Sequence, residues 1–324
     1  MGESYLDQHI DPEFVHILTQ PPAYLGAWSS ANIIKKIGRD IIYPPIPVPP
    51  DPEVSVSERL IPGPEGAPPI QIRLYGPKIR TGNLPGLLYF HYGGYTIGSP
   101  EHEDAMCYRY VKDVGCVIVS PAYRLAPENP APAAYEDCYA ALLWLSSNAE
   151  EIGVDPSRIA VTGLSSGGGL TVAVCLMARD RGGPMPVFQM PIAPTIDDRL
   201  RTKSSTEFRD PRALNYDSVR KIWNFYLGKG HENRDDVSPY AAPAREIDLH
   251  GLPPCYCYVG DLDPHRDETI AFVTRLSQAG VPTGFTLYPG GIHAFQLELP
   301  EARISRHAIG TSVWSLKHVF YPGA

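Results

Sequence analysis

From Val54 onward, short β-branched apolar runs alternate with longer stretches of helical periodicity. The runs 54–61 and 69–75 alternate as strands, and 86–91 is continuously apolar, as expected of a strand buried on both faces. Helix 101–113, strand 116–122, helix 132–148, strand 158–164, helix 166–180 and strand 186–192 follow. Two later runs, 254–260 and 284–288, read as further strands, with a helix from Glu268 to Ala279 between them. This rhythm predicts an α/β fold: a mainly parallel sheet covered by helices on both faces. Upstream, residues 1–43 predict an interrupted helix with an apolar face of Ile33, Ile34, Ile37 and Ile41, and the prolines between 44 and 52 predict a stiff, extended connector. Residues 195–250 break the βα rhythm. They are rich in charge and contain one amphipathic helix, Ser218 to Leu227, carrying Ile222, Trp223, Phe225 and Tyr226.

The most informative segment is 158–169, where Ile159, Val161 and Thr162 lead into Gly163-Leu164-Ser165-Ser166-Gly167 and an apolar helix follows at once. Strand, G-x-S-x-G, helix is the context that exposes a serine hydroxyl on a strained turn. Side chains two residues either side of that serine would strike the neighbouring strand and helix, hence the glycines. The spacing selects Ser165, because Ser166 would need a small residue where Leu164 stands. A phosphate loop would require a following Gly-Lys-Ser/Thr, and none is present.

A serine hydroxyl needs a base and a group to hold that base, and in this context the chain order is Ser, Asp/Glu, His. His293 lies on the glycine-rich loop Pro289-Gly290-Gly291-Ile292-His293, just beyond a strand, and is the candidate base. Asp261, Asp263 and Asp267 compete as the acid after strand 254–260, with Asp267 better placed to cap the helix beginning at Glu268. The developing oxyanion needs donors, and the loop after strand 86–91 offers the N–H groups of Gly93 and Gly94. The N–H of Ser166, at a helix start, is a third.

These blocks resemble the hormone-sensitive-lipase-like branch of the α/β-hydrolases, called family IV among bacterial lipolytic enzymes. His91-Tyr92-Gly93-Gly94-Tyr95 is similar to the family's H-G-G-G-[FW], Tyr123 to Glu128 to Y-R-L-A-P-E, and Gly163 to Gly168 to G-D-S-A-G-G. Asp263 to Glu268 resembles D-P-L-R-D-E, and Gly291 to Phe295 resembles x-x-H-G-F. The resemblance runs from about residue 70 to the C-terminus. It implies an α/β-hydrolase fold whose first strands are antiparallel. It also implies a triad of Ser165, His293 and Asp263, the first residue of its block, with Gly93, Gly94 and Ser166 as oxyanion donors. A cap formed by residues 1–45 and 195–240 would cover a core of residues 46–194 and 241–324. Tyr92 and Leu164 depart from the family's glycine and aspartate, and Ser166 from its alanine. Tyr92, Tyr95 and Leu164 are therefore expected to shape the substrate pocket.

The activity so implied is serine carboxylesterase action on short- to medium-chain acyl esters through an acyl-enzyme, without cofactor. An aryl-amide deacetylase or amidase would use the same machinery. A ligand receptor of this fold would lack the histidine, which His293 supplies. Hydrolysis requires a neutral imidazole, so activity should fall below the histidine range, roughly pH 6.5 before any perturbation. Family members often pair through the last strand and helix, which makes a homodimer the expected partner state.

Composition narrows the setting. The formal charge of −8 argues against nucleic acid or an anionic membrane as partner. No apolar run approaches the ~18 residues of a membrane span, and the N-terminus lacks the basic and apolar regions of a secretory signal. A cytoplasmic protein that acts on a small-molecule ester is expected. The six cysteines (107, 116, 138, 175, 255 and 257) are scattered in apolar segments and read as reduced core thiols, with no further ligands spaced for a metal. Alternation with Tyr256 and Tyr258 places Cys255 and Cys257 on one strand face.

Overall fold

The computed structural model describes residues 4–22, 25 and 43–323. The predicted face of Ile33, Ile34, Ile37 and Ile41 lies outside the described residues. Eight strands form one sheet: β1 (Val54–Ile61), β2 (Ile70–Pro77), β3 (Leu84–Phe90), β4 (Val117–Pro121), β5 (Val154–Leu164), β6 (Phe188–Ile192), β7 (Cys255–Gly260) and β8 (Thr283–Tyr288). Their order is β1-β2-β4-β3-β5-β6-β7-β8. The β1–β2 and β2–β4 pairings are antiparallel, and every later pairing is parallel.

Strand alternation sorts the core into two layers. Leu88, Phe90, Val117, Val119, Cys255 and Cys257 face one layer, with α3 (Ala133–Ser147), α4 (Ser166–Asp180) and α7 (Arg266–Gln278) packed over them. Leu87, Tyr89, Ile118, Tyr256 and Tyr258 face the other, beneath α2 (Asp104–Val114), the short α8 (Phe295–Glu298) and α9 (Arg303–Phe320). Cys255 and Cys257 thus share a face, as their spacing predicts, and all six cysteines are buried free thiols. Among the described residues, no helix is long and apolar enough to cross a membrane.

The stretch after β6 holds α5 (Lys203–Glu207) and α6 (Tyr216–Leu227). The latter begins before the predicted Ser218 because the Asn215 side chain accepts from the Ser218 N–H and caps the helix. Much of the charge here is paired internally. Fully buried Asp198 accepts two hydrogen bonds from Arg245, at 2.6 and 2.9 Å, which offsets the cost of burying its charge. The N-terminal α1 (Tyr5–His9) touches the same stretch: Ser4 Oγ donates to Asp210, and Arg212 pairs with Asp7 at 2.9 Å.

Candidate active site

β5 delivers the chain to Ser165 and α4 begins one residue later, so the serine occupies the turn itself. Its backbone, φ 59 and ψ −118, is one that side-chain-bearing residues rarely adopt. The flanking glycines are required by close approach. A Cβ at Gly163 would lie 2.6 Å from the Phe90 carbonyl oxygen, and one at Gly167 only 2.0 Å from it. Both obstacles are backbone of β3, which cannot rotate aside. Gly167→Ala is therefore expected to destabilise the fold by about 1–3 kcal/mol through overpacking, read as a lower urea midpoint, and to displace the serine.

Side chains from three distant segments converge at this turn. His293 Nε2 lies 3.0 Å from Ser165 Oγ, and His293 Nδ1 lies 2.7 Å from Asp263 Oδ2. Asp263 is fully buried, whereas Ser165 and His293 keep 7% and 5% of their surface exposed. Burial opposes ionisation of Asp263, but the His293 and His265 imidazoles outweigh it and hold its carboxyl below the usual aspartate range. The two competing aspartates are engaged elsewhere. Asp261 accepts from the Gly290 N–H, and Asp267 accepts from the Ser204 N–H. Asp267 does not cap its helix as expected, because α7 starts at Arg266 and Asp267 already lies inside it. The Asp267 N–H instead donates to Ser204 Oγ, so a hydroxyl from the stretch after β6 satisfies that helix end.

The loop after β3 lies against the same turn. Gly93 (φ 127) and Gly94 (φ 60) both take conformations that favour glycine, and a Cβ at Gly93 would fall 2.1 Å from the Ile97 carbonyl oxygen. Tyr92 fits the position of the family's first glycine because its backbone does not enter that region; its N–H donates to buried Glu103 at 3.3 Å. Glu103 also accepts from the Tyr89 hydroxyl at 2.9 Å, and burial pushes its carboxyl up to about 7. His91 stacks on Tyr123, with ring centroids 4.1 Å apart, and burial keeps it neutral by pushing it down to about 3. The Tyr123 hydroxyl donates to the His91 carbonyl oxygen at 2.8 Å, so the Y-R-L-A-P-E block braces this loop.

A small cavity opens onto Ser165 and His293, lined also by Tyr92, Gly93, Gly94, Leu214, Ile222 and Ala294. Tyr92 stands in this wall, and its hydroxyl lies 2.6 Å from that of Tyr43. Tyr95 and Leu164 do not line this cavity. Leu164 is packed in the core beneath α2 and α9, and the Tyr95 ring stacks on Tyr226 with centroids 4.0 Å apart. Ser166 is fully buried at the start of α4. A roomier hollow, lined by Pro77, Lys78, Leu84 and Gly115, sits at the other end of the parallel strands. In open α/β sheets the chemistry belongs at the carboxyl ends of the strands, where Ser165 stands.

Thr195 and His265, which the sequence reading does not single out, also reach this site. Thr195 Oγ1 lies 3.4 Å from Ser165 Oγ and 3.2 Å from His265 Nε2. The available signal was His265 itself, a polar residue where the family block has leucine. Among the described residues, Asp263, His265 and His293 are the one trio with metal-ligand atoms within 4.8 Å of one another. Their ring nitrogens are already engaged by Ser165, Thr195, Asp263 and Glu268.

Comparison with known proteins places the chain among esterases of one fold family. A sequence profile of the family described as alpha/beta hydrolase fold matches residues 87–297. The carboxylesterase NlhH of Mycobacterium tuberculosis is 33% identical over 315 residues, 96% of this chain and 97% of that protein. An arylesterase of Saccharolobus solfataricus is 35% identical over 253 residues, covering 78% of this chain and 80% of the relative. Among solved structures, a bacterial heroin esterase superposes with a TM-score of 0.88 at 37% identity, covering 96% of this chain and 98% of that one. The chain belongs to the α/β-hydrolase family, within its hormone-sensitive-lipase-like branch.

Proposed function

We propose that this protein is a serine carboxylesterase in which Ser165, His293 and Asp263 act as the catalytic triad. The observation that carries the reading is the continuous contact from Ser165 Oγ through His293 to buried Asp263, at 3.0 and 2.7 Å. Asp263 accepts from the Nδ1–H of His293 and so leaves Nε2 free to take the serine proton. Ser165 Oγ then attacks the ester carbonyl, and the N–H groups of Gly93, Gly94 and Ser166 receive the developing negative charge. His293 passes the proton to the leaving alcohol. Water follows the same path in reverse to release the acid.

Residues 1–45 and 195–240 act as a cap over the core segments 46–194 and 241–324. The Arg212–Asp7 and Ser4–Asp210 contacts support this division, as do Leu214 and Ile222 in the cavity wall. That apolar wall is compatible with the short- to medium-chain acyl groups that the family resemblance implies. Carboxylesterase and arylesterase relatives support an ester substrate. Buried free thiols fit a reducing, cytoplasmic setting. A homodimer through β8 and α9 fits the exposed Leu287 and Trp314, and sedimentation velocity reads it directly.

A matched set of p-nitrophenyl esters and p-nitroanilides tests the substrate class. kcat/KM should be highest for acetyl to hexanoyl esters and far lower for the corresponding anilides. Comparable turnover of the anilides would instead make the protein an amidase.

A further inference from the structure

Besides His293, a second chain of buried polar groups reaches the Ser165 hydroxyl. Thr195 Oγ1 is 3.4 Å from Ser165 Oγ, His265 Nε2 is 3.2 Å from Thr195 Oγ1, and His265 Nδ1 is 2.9 Å from Glu268 Oε1. All three added residues are at most 2% exposed, so bulk water does not take their place. The triad chemistry proposed above makes no use of them. We propose that Thr195 donates a hydrogen bond to Ser165 Oγ and that one proton shared by His265 and Glu268 sets the direction of this bond. The inference rests on Ser165 being the nucleophile.

The direction follows from counting hydrogens. When the pair holds the shared proton, it is either imidazolium with carboxylate or imidazole with carboxylic acid. In both forms Nδ1 is committed to Glu268 and Nε2 carries a hydrogen. That hydrogen goes to Thr195 Oγ1, and the threonine hydrogen is then directed at Ser165 Oγ. The serine hydrogen is left for His293 Nε2, and Oγ keeps a donor as charge builds on it. When the shared proton is lost, the Glu268 carboxylate claims the remaining imidazole hydrogen at Nδ1. Nε2 becomes an acceptor, Thr195 turns its hydrogen to His265, and Ser165 Oγ loses its second donor. Thr195 is thus in contact with the reacting atom, whereas His265 and Glu268 are positioning residues.

The surroundings favour keeping the proton at neutral pH. Burial opposes a charged His265, but the carboxylates of Glu268 and Asp263 outweigh it and raise the imidazole above its ordinary range. Burial pushes Glu268 up to about 7, against the pull of His265. The other titratable or charged groups facing the pair are His293, with its ring centroid 5.3 Å from that of His265, and Asp197, Arg199 and Tyr95 around Glu268. The proton-bound form is the more active one. The contribution of the Thr195 donor is therefore full below the pair's titration and is lost as pH rises through it, which lowers the rate about tenfold in an alkaline limb above the ordinary imidazole range. The acid limb set by His293 is separate.

The test is the pH profile of kcat/KM for p-nitrophenyl acetate in the parent, Thr195→Val, Thr195→Ser and His265→Leu. Thr195→Val should lower kcat about tenfold at neutral pH, the worth of one hydrogen bond to a charged atom. Its KM should change less than about twofold, since Thr195 does not line the cavity. Both Thr195→Val and His265→Leu should lose the alkaline limb, and Thr195→Ser should retain it. A titration of the 15N-histidine-labelled parent by NMR, which needs no variant to fold, should show His265 Nε2 protonated below the limb and bare above it. Variants that keep the parental limb, or an Nε2 that is bare throughout, would overturn the proposal. Labelling by a fluorophosphonate separates the two ideas. A labelled Ser165 with an unchanged limb removes only the second chain, whereas an unlabelled Ser165 in active parent protein removes the nucleophile itself.

Discussion

Replacing Ser165 with alanine is expected to lower kcat for p-nitrophenyl acetate by about 10⁴- to 10⁶-fold, with KM little changed. The magnitude follows from what remains. Without Oγ no acyl-enzyme forms, and His293 has no hydroxyl at 3.0 Å to deprotonate. In the proposed oxyanion role, the N–H groups of Gly93, Gly94 and Ser166 would still polarise a bound ester, which would leave a residual rate above that of water alone. Ground-state binding draws on the cavity wall of Tyr92, Leu214, Ile222 and Ala294, which the substitution does not touch. Alanine loses a single oxygen at a site already held at φ 59 by its neighbours, so the thermal midpoint should move by a few degrees at most. Steady-state kinetics and a melting curve on the same sample separate lost chemistry from lost fold.

Asp263→Asn is expected to cost about 10⁴-fold in kcat. The carboxylate accepts twice, from His293 Nδ1 at 2.7 Å and from the His265 backbone N–H at 2.9 Å. An asparagine amide facing His293 would donate to Nδ1 and force the imidazole hydrogen onto Nε2. That tautomer cannot accept the proton of Ser165. The same substitution alters the pH dependence of stability. The folded-state pKa of Asp263 is depressed, so its contribution is fully present above the ordinary aspartate value of about 3.9 and is lost as pH falls through the lower folded value. The variant should lack that part of the acid-side loss when urea midpoints are compared between about pH 2 and pH 6.

Much of the sheet was legible because each parallel strand is a compact apolar run between turn-forming residues. The prediction for β1 matches its observed bounds, and most other strands differ by a residue or two. β5 departs furthest, starting at Val154 rather than 158. Asp155-Pro156-Ser157 reads as a turn, and the Asp155 carboxylate does accept from the Ser157 N–H. The strand nevertheless begins earlier because Val154 pairs with Leu84 across a register shift. The C-terminal helix α9 has no counterpart in the hydrophobic pattern. Its buried face includes Ser305, Ala308, Ser312 and Ser315, small and polar residues that blur the helical period.

The site divides the same way. Ser165, His293 and the glycine loop follow from local geometry, since each sits on a turn at a strand end. The choice of Asp263 over Asp261 and Asp267 did not follow from spacing alone, because all three lie within seven residues of one another. Their distinction is tertiary: only the folded chain shows that Gly290 and Ser204 occupy the other two. Tyr95 and Leu164 were expected at the pocket because they flank its motifs, yet alternation and ring stacking turn them into the core. Thr195 lies in a segment of no regular pattern and reaches Ser165 only because β6 runs beside β5.

The hydroxyl at 165 alone is expected to be activated for acyl transfer. Titration of the parent protein with a fluorophosphonate, followed by intact-mass and peptide mass spectrometry, measures this directly. One adduct per chain on Ser165, with esterase activity lost in step with labelling, is the expected result. Complete inactivation with the adduct at any other residue, or undiminished activity with Ser165 fully modified, would contradict it.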